Sequence, residues 1–151
     1  RSRRPPKDAV NSMLSFVYTL IASDMAAALE TVGLDPYIGF LHTMRPGRAS
    51  LALDVMEELR AYLGDRLVLT LINRKQLSIA DFIHHGEDEV VMTDNCRKII
   101  LTAWQSRKKE IITHPYLGEK IPIGLLPYVQ AMLLARYIRG DIDDYPVFLI
   151  T

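Results

Sequence analysis

A histidine and three carboxylates share one short stretch of the chain, GFLHTMRPGRASLALDVMEELR, residues 39–60. His42 lies in a segment rich in proline and glycine, and Asp54, Glu57 and Glu58 follow in a helical pattern. A mixed set of imidazole and carboxylate ligands suits Mn²⁺ or Mg²⁺ with open water positions, whereas tetrahedral zinc prefers more histidine or cysteine. Such an ion activates an attacking oxygen and stabilises the leaving oxygen in phosphoryl transfer.

An ordinary helix surface explains the same carboxylates. At about 100° per residue, a helix over residues 50–63 has an apolar arc on one side, and Asp54, Glu57 and Glu58 fall together on the opposite side. Like charges at this spacing cost about a few tenths of a kcal/mol per pair, but the first turns of a helix favour acids through its dipole. From the residues alone, a solvated helix face is favoured over a metal site.

Arginines stand close to these acids in the sequence. Arg45, Arg48 and Arg60 fall within or beside the same stretch, and the guanidinium group matches the geometry of a phosphate. The alternative for Arg48 and Arg60 is a helix surface without a ligand. A second basic run, residues 97–109, is expected to be a solvated face. Acids for a divalent ion and arginines for phosphate are a coherent pair for phosphoryl transfer.

The elements that must position these residues are helices. Apolar residues at helical spacing, closed by Gly33, predict a first helix over residues 8–31. The sequence GLDPYIGFLHTMRPG then has the composition of a loop. Ser50 fits an N-cap for a second helix to about residue 63, and a further apolar run follows Gly64 over residues 65–74.

The second half of the sequence predicts a hairpin and two more helices. In DFIHHGEDEVVMT, two β-favouring pieces flank a glycine and acidic turn. Thr93 caps a predicted helix to about residue 112, and a last apolar helix ends at Gly140. The predicted fold class is mainly α, a helical bundle domain with one short β-hairpin.

Composition excludes several classes of protein. The chain has 151 residues, the size of one domain, and its 18 basic residues balance 18 acidic ones, unlike a histone-like nucleic-acid coat. The lone Cys96 excludes an internal disulfide and indicates the cytoplasm. The longest apolar stretch is ten residues, about half of a bilayer crossing, so no membrane span is expected.

Nucleotide-loop, nucleophile-elbow and paired C-x-x-C motifs are absent, which disfavours NTP hydrolysis, serine hydrolysis and structural zinc.

The remaining candidates receive structural interpretations. Tyr18 is expected in the core or beside a site rather than in the chemistry. His84 and His85 are expected to be exposed on the hairpin, and His114 to cap or pack at a helix end. Nothing around Cys96 suggests a nucleophile.

Several long motifs, read together, resemble one family. They are PPKDAVNSMLSFVYTLI, GLDPYIGFLHTMRPGRASLALDVMEELR, DRLVLTLINR and HPYLGEKIPIGLLPYVQAMLLARYIRGD. In this order they resemble the C-terminal domain of the CRISPR-associated spacer-acquisition integrase, most closely its type I form. The resemblance implies a helical C-terminal catalytic domain over residues 1–151, with the family's N-terminal β domain absent from this chain.

The resemblance also implies a set of site residues. The family's G-x-L-H motif ends at His42, and its L-D-x-x-E motif covers Asp54 and Glu57. It implies that His42 and Glu57 are ligands of Mg²⁺ or Mn²⁺ and that Asp54 is a catalytic acid beside them. Arg48 and Arg60 are expected to contact DNA phosphates.

The activity expected from the resemblance is that of a metal-dependent DNA endonuclease and integrase. It inserts new spacers by transesterification at repeat ends, as a homodimer that works with DNA and a small adaptation partner protein. The family's third ligand, a glutamate, is expected upstream of residue 1, so these residues alone are expected to bind Mn²⁺ poorly and to be inactive. The alternative function is a non-catalytic helical module that binds DNA or a partner.

Overall fold

The computed structural model describes residues 7–36, 50–85 and 89–149, with backbone alone at residues 7, 50–54, 79 and 85. Helices make up most of the described part. They are α1 (Lys7–Thr31), α2 (Ser50–Leu59), α3 (Arg66–Asn73), α4 (Asp94–Lys108) and α5 (Leu126–Ile138). Two antiparallel strand pairs accompany them, β1 (Phe82–His85) with β2 (Glu89–Met92), and β3 (Ile111–Thr113) with β4 (Lys120–Pro122). The predicted class, mainly α, is confirmed.

Helix α1 supplies the centre of the core. Met13, Val17, Ile21, Met25 and Leu29 recur every four residues and are all fully buried, because side chains at this spacing form one stripe along a helix. Fully burying an aliphatic side chain of this size contributes roughly 1.5–3 kcal/mol. The stripe packs against α2 and α5.

The length of α1 bears on the expectation that no segment spans a membrane. Among the described residues, the part of α1 from residue 8 to 31 is the one helix that is long and apolar enough to cross a bilayer. Its apolar stripe is occupied by other helices of the bundle. In this structure the apolar stripe of α1 is therefore part of the core.

A π-helical segment, Arg60–Asp65, joins α2 to α3 without a break. The sequence pattern predicted a helix end at residue 63 before Gly64, and this prediction is wrong. Gly64 instead allows α1 to approach closely, because a Cβ atom there would lie 2.8 Å from Cε1 of Tyr18. π-Helical turns are rare and occur frequently at functional sites.

The predicted start of α4 is confirmed and its predicted end is wrong. The Thr93 hydroxyl accepts a 3.1 Å hydrogen bond from the Cys96 N–H, as expected of an N-cap. The helix stops at Lys108, and the β-branched run from Ile111 to Thr113 forms strand β3. The described part of the chain therefore has a second strand pair that the helical prediction to residue 112 missed.

The hairpin and the last helix match their predictions. Phe82 pairs with Met92 in the β1–β2 pair, and Pro127 lies at the start of α5, where a missing N–H costs nothing. Gly140, with a φ of 82°, follows the end of α5. The chain then continues as an irregular strip, residues 141–149, which we call the C-terminal segment.

Candidate functional site

Glu57 lies on the solvent face of α2. Its side chain is 63% exposed, while Val55 and Leu59 on the other face are buried. Among the described residues, Arg60 is the cation paired with Glu57, and its Nη1 lies 3.6 Å from the Glu57 Oε1. This distance is longer than a hydrogen bond, so a ligand could bind the carboxylate without breaking a hydrogen bond to Arg60. The helical-wheel prediction for Glu57 is confirmed.

The other predicted ligands cannot be placed beside Glu57 from the described residues. His42 and Arg48 lie outside them, and Asp54 is described by its backbone in α2. Within the described ranges, no group of three or more His, Cys, Asp or Glu residues could hold a metal ion. Of the two predicted metal ligands, only the side chain of Glu57 is among the described residues. The approach of His42 to Glu57 therefore stays a prediction.

Arg60 is held by an aromatic ring from α1. Its guanidinium carbon lies 4.2 Å from the centre of the Tyr18 ring, a distance typical of a cation–π contact. The Tyr18 hydroxyl donates a hydrogen bond to the Asp65 carboxylate. Burial, followed by Asp65, raises the pKa of Tyr18. We call Glu57, Arg60, Tyr18 and Asp65 the outer cluster, and its arginine remains 42% exposed.

The position of Tyr18 was predicted only in part from the sequence. It was expected in the core or near a site, and it lies partly buried beside Arg60. The signal that the sequence offered was the glycine at position 64, whose missing side chain leaves room for the ring.

A groove between α3 and α4 adds positive charge. Its volume is about 830 Å³, and its lining includes the cations Arg66, Arg74, Lys98 and Arg107 with one acid, Glu110. We call it the basic groove. Two of its members come from the basic run at residues 97–109, which was expected to be a plain solvated face.

Arg107 is the most enclosed cation of the basic groove. Its Nη1 donates a 2.9 Å hydrogen bond to Glu110, and its guanidinium lies over the Tyr62 ring at 5.2 Å. Its Nε is buried without a partner in the described part of the chain. A buried donor of this kind costs about 1–3 kcal/mol when it stays unsatisfied.

Glu58 points away from Glu57 and into the protein. Its Oε2 accepts hydrogen bonds from the Tyr145 hydroxyl at 2.7 Å, from Gln130 Nε2 at 3.2 Å and from the Phe148 N–H at 3.4 Å. Burial raises the pKa of Glu58, and these three hydrogen bonds oppose the increase. Burial and the Glu58 charge together raise the pKa of Tyr145 well above its usual range. The prediction that Glu58 shares the solvent face of Glu57 is wrong.

Gln130 connects Glu58 to His114. It is fully buried, and its Oε1 lies 2.7 Å from His114 Nε2. His114 Nδ1 accepts hydrogen bonds from the N–H groups of Tyr116 and Leu117 at 3.1 and 3.2 Å, so Nε2 carries the proton and donates to Gln130. We call Glu58, His114, Gln130 and Tyr145 the inner network.

His114 was expected to cap or pack at a helix end. In the structure it closes the turn between β3 and β4 and packs against Gln130 of α5. The inner network was missed because its members are far apart along the chain: Gln130 is 72 residues from Glu58, and Tyr145 is 87. The hydrophobic pattern over one or two helical turns cannot predict contacts between residues that are so far apart in the sequence.

Two further interpretations are confirmed. His84 is exposed on β1, whereas the side chain of His85 lies outside the description. Cys96 is buried, and burial raises the pKa of its thiol to about 11, with Asp81 as a second cause. A thiol that stays protonated at neutral pH is a poor nucleophile.

The chain is similar in sequence and in fold to known proteins. The chain is 61% identical over 149 residues to CRISPR-associated endonuclease Cas1 1 of Chlorobaculum tepidum, covering 99% of this chain and 43% of that protein. Its fold matches a casposase bound to integration product, with a TM-score of 0.81 and 25% identity over 91% of this chain and 40% of the casposase. It also matches a partial Cas6-RT-Cas1–Cas2 complex, with a TM-score of 0.77 and 26% identity over 99% of this chain and 44% of that one.

The chain thus spans about two fifths of the length of the Chlorobaculum relative. The family profile described as CRISPR associated protein Cas1 matches residues 1–106, which is more than half of the 151 residues. The chain belongs to the Cas1 family of CRISPR-associated proteins.

Proposed function

We propose that this chain carries the metal-dependent DNA endonuclease and integrase activity of a CRISPR adaptation protein. The observation that supports it most is family membership, since the Chlorobaculum relative is named an endonuclease and the casposase is bound to integration product. The exposed Glu57 beside Arg60 agrees with it, because a carboxylate and a guanidinium on one surface suit an ion and a phosphate.

The proposed ligands of a Mg²⁺ or Mn²⁺ ion are His42 and Glu57, with Asp54 as a catalytic acid beside them. When bound, such an ion activates the attacking oxygen and stabilises the leaving oxygen of a phosphodiester exchange. The carboxylate of Glu57 is exposed and held by no short hydrogen bond to Arg60, so it suits a ligand role. One described carboxylate does not make a complete site, and the remaining ligands must come from elsewhere.

Arg60 is proposed to hold a DNA phosphate. The Tyr18 ring fixes the guanidinium from one side, which lowers the side-chain entropy that phosphate binding would otherwise remove. Arg48 is proposed as a second contact. The basic groove offers four further cations against one acid, and it would carry the phosphate backbone of the same DNA away from the outer cluster.

The proposed partners are DNA, a second copy of the chain and the small adaptation partner protein. The matched Cas6-RT-Cas1–Cas2 complex is an assembly of a Cas1 portion with Cas2, which supports a partner of this kind. We place the protein in the cytoplasm and propose no membrane association.

The decisive experiment uses a chimera in which this chain replaces the matching segment of the Chlorobaculum relative. The chimera is incubated with branched DNA and Mn²⁺, and cleavage and joining are followed on a gel. We expect Glu57→Gln to reduce the rate at least about a hundredfold, because the charge on a metal ligand is lost. The matched control Glu89→Gln changes an exposed glutamate on β2 and should keep the rate.

Equal rates for Glu57→Gln and Glu89→Gln would contradict the ligand role. DNA binding without any cleavage in the unmodified chimera would favour the alternative function, a non-catalytic module. His42→Ala, tested in the same chimera, checks the second ligand, and retention of activity there would remove His42 from the site.

A further inference from the structure

Two neighbouring glutamates of α2 point in different directions. Glu57 is 63% exposed in the outer cluster, whereas Glu58 belongs to the inner network and accepts three hydrogen bonds from other elements. Consecutive residues of a helix are separated by about 100° around its axis. Whatever fixes the rotation of α2 at Glu58 therefore also fixes the direction in which Glu57 points.

The C-terminal segment supplies most of that restraint. Tyr145 donates its hydroxyl proton to Glu58, and the Phe148 N–H reaches the same carboxylate oxygen. The Pro146 carbonyl accepts a 3.2 Å hydrogen bond from Gln130 of α5. The segment thus crosses from α5 to α2 and is hydrogen-bonded to both.

Phe148 anchors the same segment on the π-helical part of the chain. It is 3% exposed, and its ring lies 5.4 Å from the ring of Tyr62 and 5.8 Å from that of His114. Tyr62 lies within Arg60–Asp65, directly after α2. The segment therefore holds α2 at Glu58 and holds the π-helical continuation of α2 at Tyr62.

Small rotations of α2 would matter. A helix with its side chains has a radius of about 5–6 Å, so a rotation of about 20° moves a side-chain end by roughly 2 Å. Metal ligands must hold their distances to within about 0.2 Å. A helix face with one anchor would tolerate such a rotation, whereas the contacts at Glu58 and Tyr62 oppose it.

We propose that Glu58 is a positioning residue and that the C-terminal segment is a strap that sets the direction of Glu57. The proposal rests on the proposed function for its catalytic consequence, but its structural part can be tested separately. The competing explanation is that the inner network stabilises the whole bundle and nothing else. The two explanations differ in whether α2 loosens alone or together with the other helices.

Amide hydrogen exchange of the 151-residue chain tests the structural part. Tyr145→Phe deletes the hydroxyl that donates to Glu58, and the matched control Tyr128→Phe deletes a hydroxyl on a 41% exposed ring of α5. We expect exchange in α2 to quicken about fivefold in Tyr145→Phe, as the loss of one hydrogen bond implies. Exchange in α4 should not change, and Tyr128→Phe should leave both helices unchanged.

Equal acceleration of α2 and α4, or no acceleration of α2, would overturn the strap. Glu58→Gln keeps an oxygen that can accept the same hydrogen bonds, so it should stay near wild type, whereas Glu58→Ala should quicken α2 exchange by roughly tenfold or more. Because Glu58→Gln and Tyr145→Phe are mild changes, the test does not depend on a variant that fails to fold.

The same variants in the chimera test the catalytic part. We expect Glu58→Ala to reduce kcat about tenfold and to raise the Mn²⁺ concentration needed for half-maximal rate, with KM for DNA unchanged and with recovery in Glu58→Gln. An unchanged kcat and Mn²⁺ requirement in Glu58→Ala would overturn the positioning role. If the unmodified chimera does not process DNA, the proposed function fails, and the exchange experiment still decides whether the strap exists.

Discussion

The outer cluster and the inner network lie on two sides of the same helix and use similar side chains in different ways. The outer cluster pairs Glu57 with Arg60 at 3.6 Å in contact with water. The inner network surrounds Glu58 with donors at 2.7 to 3.4 Å and contains the fully buried Gln130. Exposed ion pairs contribute about 0–1 kcal/mol, whereas a buried polar group left without its partner costs about 1–3 kcal/mol. Stability should therefore depend on the inner side of α2, whereas the proposed DNA chemistry is assigned to the outer side.

The largest effect should come from the centre of the inner network. Gln130→Leu keeps a similar volume but leaves the His114 Nε2 proton and the Pro146 carbonyl without the partner they have now. We expect the free energy of unfolding to fall by about 3 kcal/mol, because several buried polar groups lose hydrogen bonds together. Urea unfolding followed by circular dichroism measures the change.

Gln105→Leu is the matched control, since Gln105 is exposed on α4. Its effect should stay within about 0.5 kcal/mol. Similar losses in both variants would mean that the inner network contributes no more than the surface, and the contrast between the two sides of α2 would disappear.

A smaller effect should appear in the pH dependence of stability. Burial raises the pKa of Glu58 above its ordinary value of 4.5, so between the ordinary and the raised value the folded chain binds a proton that the unfolded chain has released. The contribution of Glu58 to the free energy of unfolding is therefore fully present below pH 4.5. It falls as the pH rises from 4.5 through the raised pKa of the folded chain. Glu58→Gln removes the titration, so wild type should lose stability relative to this variant as the pH rises.

Unfolding by urea at a series of pH values from 4 to 7 measures this difference. Glu89→Gln, on β2, is treated in the same way as the control. A gap between wild type and Glu58→Gln that stays constant with pH would show that the buried carboxylate of Glu58 does not titrate differently in the folded chain.

The two sides of α2 also differ in how far the sequence alone predicts them. The wheel placed Glu57 on the solvent face correctly, because one helix and its own apolar arc decide that position. The same wheel placed Glu58 beside it, and the C-terminal segment, 87 residues away at Tyr145, brings the donors that draw Glu58 inward. The sequence correctly predicted helices that have a local apolar period or a capping residue. Examples are α1, with its apolar stripe, and the start of α4 at the Thr93 N-cap.

Strand β3 and the π-helical segment show the same limit. In β3, Ile111 pairs with Pro122 and Thr113 pairs with Lys120 of β4. The hydrophobic pattern of residues 111–113 alone does not predict this pairing. Within the π-helical segment, Gly64 is approached closely by Tyr18 of α1, a contact across 46 residues. The site predictions rest on the family motifs for His42 and Asp54, and on the match between guanidinium and phosphate geometry for Arg48. All three stay predictions because their side chains lie outside the description.

The smallest effect on stability should come from Glu57, and it gives the sharpest test of the division between the two sides. Its carboxylate is 63% exposed and lies 3.6 Å from an arginine that is itself 42% exposed, so water replaces most of what the pair contributes. We expect Glu57→Gln to change the free energy of unfolding by less than about 0.5 kcal/mol, although the same substitution should remove most DNA processing in the chimera. Urea unfolding of the 151-residue chain supplies the number. A loss as large as that of Gln130→Leu would mean that Glu57 holds the fold together, and its loss of activity would then report unfolding instead of a missing ligand.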